Sequence, residues 1–377
     1  MVLHLPAEQH YECTACGRCC RAAWTIAVDP VAEPEIRASR SYQQAEERGY
    51  LPLQVKDGRV ATARAADQAC VFLDQQNLCE LHGELGGERK PLVCQTYPFL
   101  LSQTPDGIFA ALSYACPAAL LGEGPPLEAS RADLERLIAG RWEEMPQGVE
   151  VGDRVEVLRG AEISWTDYLE LEGRLLKSLN PERPVATLLG AAVQLVLAEG
   201  GEDGHGGGYR LPHRPLDEPY NFGGFDREIA SMVTCNLIAI CEEVKEPEER
   251  AKLGSQIWNG ERPWSPRFGV ELPAFSLQEP RSTRAGQLIA NYLRNAIFGK
   301  RLLQDSVVSR LLALVCGLSI LLYYVEALSP RDGEEAALDR AFTLVESELL
   351  SHTRSFDGFF VEFEEALRNV RDSLRGG

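Results

Sequence analysis

Long apolar runs are scarce in this chain, basic residues are outnumbered, and no nucleotide-binding glycine loop stands out; each shortage removes a class of function. The longest apolar stretch, Leu311 to Val325, is bounded by Arg310 and Glu326 and contains Gly317 and Ser319. A spanning helix needs about twenty apolar residues, so this stretch is expected to be a helix buried in a soluble core, with no membrane partner. Met1 to Glu12 shows no basic start, apolar run or small-residue cleavage site, and a cytoplasmic location with reduced thiols is expected. Lysine and arginine number 38 against 56 aspartates and glutamates, a net charge of -18. That balance repels a phosphate backbone and excludes a nucleic-acid partner. The glycine-rich stretch 200–208, which contains His205, lacks both the Gly-x-Gly-x-x-Gly order after a strand and a P-loop lysine, and reads as a flexible acidic loop. No Ser/His/Asp arrangement, paired catalytic carboxylates or internal repeat can be assigned.

What the chain does have is cysteine, eleven in all, eight of them between Cys13 and Cys116 and opening with Cys13-Thr-Ala-Cys16-Gly-Arg-Cys19-Cys20. Spacing by two residues lets a tight turn aim successive thiolates at one centre, and soft thiolates select zinc, iron-sulfur clusters or copper(I). A disulfide framework is the rival reading, and the absence of an export signal argues against it. Cys70, Cys79, Cys94 and Cys116 complete a set of eight thiols, enough for two four-ligand sites. Neighbouring side chains diverge in most backbone conformations, so Cys19 and Cys20 are expected to face different ligand sets, or one of them to stand behind the ligands. The two-two spacing of Cys13, Cys16 and Cys19 and the Cys116-Pro117 pair favour a 4Fe-4S cluster over zinc, which uses the same tetrahedral sulfur coordination. His82, three residues after Cys79, and His10, three before Cys13, are either surface histidines or auxiliary ligands. Trp24, Phe72 and Tyr97 lie beside candidate ligands, where rings pack or exclude water. Cys235, Cys241 and Cys316 sit in apolar helical stretches and read as core.

The patterning predicts a mainly α protein: an irregular, metal-ligated cysteine-rich N-terminal domain with short strands over 1–124, and a mostly helical domain over 125–377. The boundary is placed at Gly122 to Pro126, and metal bonds are expected to replace a hydrophobic core in the first domain. Within that domain residues 31–49 read as helix after Pro34, and Leu51 to Ala63 as a hairpin turning at Asp57-Gly58. Ser130 and Asp133 form a candidate capping box, and residues 149–157 a small hairpin turning at Gly152-Asp153. Further helices are expected from Ser164, whose box partner is Asp167; from Pro184 to Ala198; and over 225–244, 282–298, 306–328 and 334–351, with a last one from Asp357.

The run Cys13-x2-Cys16-x2-Cys19-Cys20, then Trp24-Thr-Ile26, Asp29, Cys70-x-Phe-Leu73, Cys79-x2-His82, Lys90-Pro91-x2-Cys94-x2-Tyr97-Pro98 and Cys116-Pro117, resembles the zinc- or iron-chelating CxxCxxCC family, also called YkgJ-like. Trp24 and the long helical C-terminal half are similar to its flagellin lysine N-methylase branch. That resemblance implies S-adenosylmethionine as a cofactor and a lysine-bearing protein, flagellin-like or other, as a partner. The chain departs from the branch at Gln95 and Phe99, where compared members carry basic residues. The alternative function is a metal-dependent redox or partner-binding module without methyltransferase activity.

Overall fold

The computed structural model describes residues 2–22, 24–145, 149–199, 209–216, 222–350 and 356–375; the glycine-rich stretch 200–208 with His205 lies outside them. Helix dominates. Two compact units emerge: Leu3–Leu101 with Ala110–Gly148, and Val149–Gly377 with Val2 and Ser102–Phe109. In this grouping the helix after Pro126 goes with the cysteine-bearing segments.

Unit 1 is built from short pieces: β1 (Leu3–His4), α1 (Arg18–Arg21), α2 (Ala32–Ala38), α3 (Arg40–Glu47), β2 (Leu53–Lys56), β3 (Arg59–Thr62), α4 (Glu80–Leu85), α5 (Leu92–Thr96), β4 (Phe99–Thr104), β5 (Gly107–Leu112), α6 (Pro117–Leu121) and α7 (Arg131–Arg141). The tips of β4 and β5 group with unit 2; β5 lies between β1 and β4 in one sheet. The β2–β3 hairpin turns at Asp57-Gly58 as expected, with φ of 51° and 75° at the two turn residues, the left-handed pair that a two-residue hairpin turn demands. The single helix expected over 31–49 is two, since Ser39 turns extended (φ -73°, ψ 154°) and caps α3 by accepting the Tyr42 N–H. Ser130 does not cap: a 3-10 turn over Leu127–Ser130 has already made it helical, and Asp133 pairs with Arg136 at 3.1 Å instead.

Contrary to expectation, this unit has a hydrophobic core of its own. Ile26, Val28, Ile36, Phe72 and Leu81 are at most 6% exposed and pack with Cys70, while Cys20, Trp24, Cys79 and Cys94 cover the same cluster. The contributing residues come from loops and short helices at irregular spacing, so no periodicity announces them. Asp29 ties three pieces together, accepting the N–H groups of Ala32 (3.0 Å) and Leu92 (2.8 Å) and the Arg141 guanidinium. Burial raises its carboxyl, but these bonds outweigh burial and hold it below the usual carboxylate range. Its stabilising effect is therefore present above the unfolded pKa and lost as pH falls through the lower folded value. Asp29→Asn is expected to lower the urea midpoint of unit 1 at pH 7 and to flatten its acid unfolding below about pH 4; an unaltered acid limb would refute this role.

Unit 2 holds β6 (Arg154–Leu158), β7 (Ala161–Ser164), α8 (Trp165–Ser178), α9 (Pro184–Ala198), α10 (Phe225–Cys241), α11 (Pro247–Trp258), β8 (Trp264–Ser265), β9 (Val270–Glu271), α12 (Thr283–Phe298), α13 (Val307–Asp332), α14 (Glu334–Val345) and α15 (Asp357–Arg375). The Ser164–Asp167 capping box is complete, Pro184 opens α9, and Ser282 and Ser306 cap α12 and α13. Among the described residues, α11 and the short strands β8 and β9 had no counterpart in the sequence reading. The expected hairpin is displaced: Gln103 exchanges backbone bonds with Val149 (2.7 Å) and Val151 (2.9 Å), and the turn falls at Arg159-Gly160, where Gly160 supplies φ 79°.

Helix α13 is the axis of the unit and packs on α9, α10, α14 and α15. At 26 residues it runs four residues past the expected end at 328 and is long and apolar enough to cross a bilayer by length and composition; 89% of its apolar window is buried inside the molecule. Gly317 lets α14 approach, because a Cβ there would stand 3.2 Å from Val345 Cγ1 and 2.8 Å from Leu350 Cδ1.

Candidate metal centre

All eleven cysteines are free thiols, and the framework of unit 1 holds eight of them in register. Gly17, at φ 71°, launches α1, and a Cβ on it would lie 3.0 Å from Asn77 Cβ, so only glycine fits this close left-handed turn. Arg21 fastens α1 to Asp67 (3.0 Å) and Asn77 (2.9 Å). The Cys20 carbonyl accepts the Cys70 N–H (2.8 Å) and Arg64 Nη1 (2.7 Å), and Arg64 also donates to the Trp24 carbonyl. A bridge between Leu73 and Cys79 closes a turn in which Asp74 accepts the N–H groups of Gln76 and Leu78. Cys79 precedes α4, Cys94 lies in α5, and Cys116 caps α6, with Pro117 at its first position.

The thiols sort into two neighbourhoods. In the first, the Cys19 and Cys20 sulfurs are 4.0 Å apart, and the hydrogen bond between them lowers Cys19 to about 6 and raises Cys20. Burial raises Cys70, Cys79 and Cys94, and the charges of Cys70, Cys79 and Cys19 push Cys94 further. Lys90 opposes that build-up at Cys19, Cys79 and Cys94. In the second, burial and then the charges of Cys16 and Cys13 push Cys116 up to about 11, against the N–H groups of Ala118 and Ala119. Tyr11 joins this group: burial, then Cys116 and Cys13, raise its phenol, which hydrogen-bonds to Cys13 and also feels Cys19.

Four thiolates 2.3 Å from a tetrahedral zinc ion are separated by roughly 3.8 Å, and the 4.0 Å between Cys19 and Cys20 matches that edge. The two sulfurs therefore lie side by side. Among the described residues no three Cys, His, Asp or Glu side chains already stand close enough to hold an ion. Soft thiol donors of this kind are the type that a thiophilic metal takes.

Residues 12–117 match the family model CxxCxxCC, described as a "putative zinc- or iron-chelating domain". The match covers less than a third of the chain, so residues 12–117 are similar to this zinc- or iron-chelating family over that segment alone. No curated protein and no solved structure matches the chain. The match supports the family and leaves the methylase branch without support.

The CxxCxxCC segment ends one residue after Cys116 and so spans both thiol neighbourhoods. Trp24 and Tyr97 pack with ring centroids 5.1 Å apart, and Phe72 is buried in the cluster that Cys20, Cys79 and Cys94 cover, so the aromatic residues flanking the cysteines do pack there. Burial and the charge of Lys90 lower His82 below the ordinary imidazole value. His10 bonds through Nδ1 to the Gly124 carbonyl at 2.9 Å. Cys235, Cys241 and Cys316 are buried in α10 and α13, as expected of core thiols. Tyr11, Lys90 and Arg64 are the participants that sequence reasoning missed; Lys90 alone had a signal, standing four residues before Cys94.

Proposed function

We propose that the CxxCxxCC domain chelates a single thiophilic ion, zinc or iron, through four of the five thiols Cys19, Cys20, Cys70, Cys79 and Cys94. The observation that carries this reading is the Cys19–Cys20 sulfur separation of 4.0 Å, which suits two ligands on one ion. In a cubane each thiolate binds its own iron, and adjacent residues seldom serve two irons of one cluster. Lys90 offsets part of the negative charge that four thiolates bring, and the aromatic and aliphatic cluster beneath Cys20, Cys79 and Cys94 shields the site from water. The ion would cross-link α1, the 70–79 turn and α5. A reducing compartment would keep the eleven free thiols available for this chemistry.

Anaerobic purification followed by elemental and sulfide analysis tests the reading. Zinc or iron without acid-labile sulfide is expected, lost in Cys79→Ser/Cys94→Ser and retained in Cys316→Ala. Sulfide in proportion to iron would replace the single ion by a cluster, and equal metal in both variants would remove the ligand assignment. Lysine methylation with S-adenosylmethionine is a finer use of the centre that rests on the resemblance alone; transfer of labelled methyl to a lysine-bearing protein is the result that would add it.

A further inference from the structure

The turn after α12 places a lysine inside unit 2. The Gly299 carbonyl accepts the Ser102 hydroxyl (2.8 Å), and Lys300 takes the left-handed backbone, φ 61°, that residues other than glycine seldom adopt. Its N–H donates to the Ile297 carbonyl (3.0 Å) and its own carbonyl accepts the Leu303 N–H (3.0 Å), so the side chain is held inward at 1% exposure. There Nζ lies 2.6 and 2.8 Å from the two Glu172 carboxylate oxygens. Phe109, its ring centre 4.0 Å from Nζ, encloses the pair together with Trp165, Tyr168 and Phe298. Helix α8 aligns three of these partners, since Trp165, Tyr168 and Glu172 follow one another at spacings of three and four and share a face. The Tyr168 hydroxyl is buried and makes no well-formed hydrogen bond among the described residues. Burial and then the nearby Glu172 charge raise this phenol, which therefore keeps its proton.

We propose that Lys300 and Glu172 are the two halves of an internal isopeptide bond, in which the lysine amine condenses with the glutamate carboxyl to a secondary amide that locks the α12 turn to α8. The freshly folded chain carries the pair as ions, and the amide accumulates from it. The ammonium first passes one proton to the carboxylate, leaving an amine and a carboxylic acid. The amine lone pair then attacks the carboxyl carbon; the N–C bond forms, the C–OH bond breaks, and the hydroxyl leaves with a proton from nitrogen as water. The step needs no co-reactant. Burial favours the proton transfer, since it lowers the ammonium against the charges of Glu172 and Asp106 and raises the carboxyl against Lys300. A lysine desolvated in this way is a nucleophile, and direct contact replaces a bimolecular encounter. The aromatic rings exclude the water that would reverse the reaction, and a neutral amide escapes the desolvation that two buried ions suffer. Tyr168 donates its hydroxyl to the carboxyl oxygen that gains charge as the amine adds.

Mass spectrometry of the full chain reads the bond directly. Kept folded at neutral pH for several days, the wild type is expected to lose the mass of one water and, after denaturation and trypsin, to yield a branched peptide joining Lys300 to Glu172. Lys300→Met/Glu172→Gln, which removes both charges and the amine, should keep its full mass. Tyr168→Phe, which preserves the ring, should lose water on the order of 100-fold more slowly, with circular dichroism showing that it is folded. A wild type of unchanged mass, water lost without the branched peptide, or water lost equally by the double variant overturns the bond. Water loss from Tyr168→Phe at the wild-type rate overturns the role of its hydroxyl.

Discussion

Stripping the bound ion with a chelator is expected to leave unit 1 folded but markedly weaker, with metal affinity falling about a thousandfold per pH unit between pH 9 and 6, as expected when binding releases about three protons. The sign follows from the thiols. Metal binds thiolate, and burial holds Cys70, Cys79 and Cys94 protonated at neutral pH, while the Cys19–Cys20 pair keeps a single proton because Cys19 is lowered to about 6. Four ligands drawn from these five therefore shed about three protons above pH 6, and about four once Cys19 is itself protonated below it. Isothermal titration in buffers of different ionisation enthalpy counts those protons; a count near zero would mean that these thiols are not the ligands. Loss of an isolated structural zinc site removes on the order of 10 kcal/mol and unfolds a peptide that has nothing else. Here Ile26, Val28, Ile36, Phe72 and Leu81 are almost fully buried, each contributing roughly 1.5–3 kcal/mol, so the apo unit should keep its circular dichroism while its unfolding midpoint drops.

That core also shows where sequence reasoning reaches its limit. Turn and cap chemistry is local, and it was readable: Asp57-Gly58, the Ser164–Asp167 box and Pro184 all stand where residue type alone put them. Ser130 misled because a cap requires extended backbone, and the preceding 3-10 turn took that away. The identity of the thiols was equally plain, but their sorting was not. It depends on Gln9 and Tyr11 pairing with residues more than a hundred positions away and on the left-handed turn at Gly17, neither of which spacing encodes. The family match over residues 12–117 recovers the same motif and says nothing of unit 2, whose buried polar contacts no motif announced.

The foremost of those contacts is Lys300, where Lys300→Met is expected to destabilise unit 2 by about 3–5 kcal/mol, the usual effect of removing one partner from a buried ion pair. Lys300 is 1% exposed, its Nζ lies 2.6 and 2.8 Å from the two Glu172 oxygens, and it stands 4.0 Å from the centre of the Phe109 ring, with Trp165, Phe298 and Tyr168 within 6.0 Å. Burial lowers the ammonium and raises the carboxyl, so each group depends on the other to remain charged. Without Lys300 the carboxylate is stranded among aromatic rings and takes up a proton. Its folded pKa then lies further above the unfolded value, and stability is retained at low pH and lost as pH rises. The single variant should therefore unfold at lower urea at pH 8 than at pH 5. Adding Glu172→Gln should remove that pH dependence and restore much of the loss, because the stranded charge and not the missing ammonium is what destabilises. Denaturant unfolding of the single and double variants at both pH values decides it: a single variant indifferent to pH, or a double variant worse than the single, would show that the aromatic contacts of Lys300 outweigh its charge.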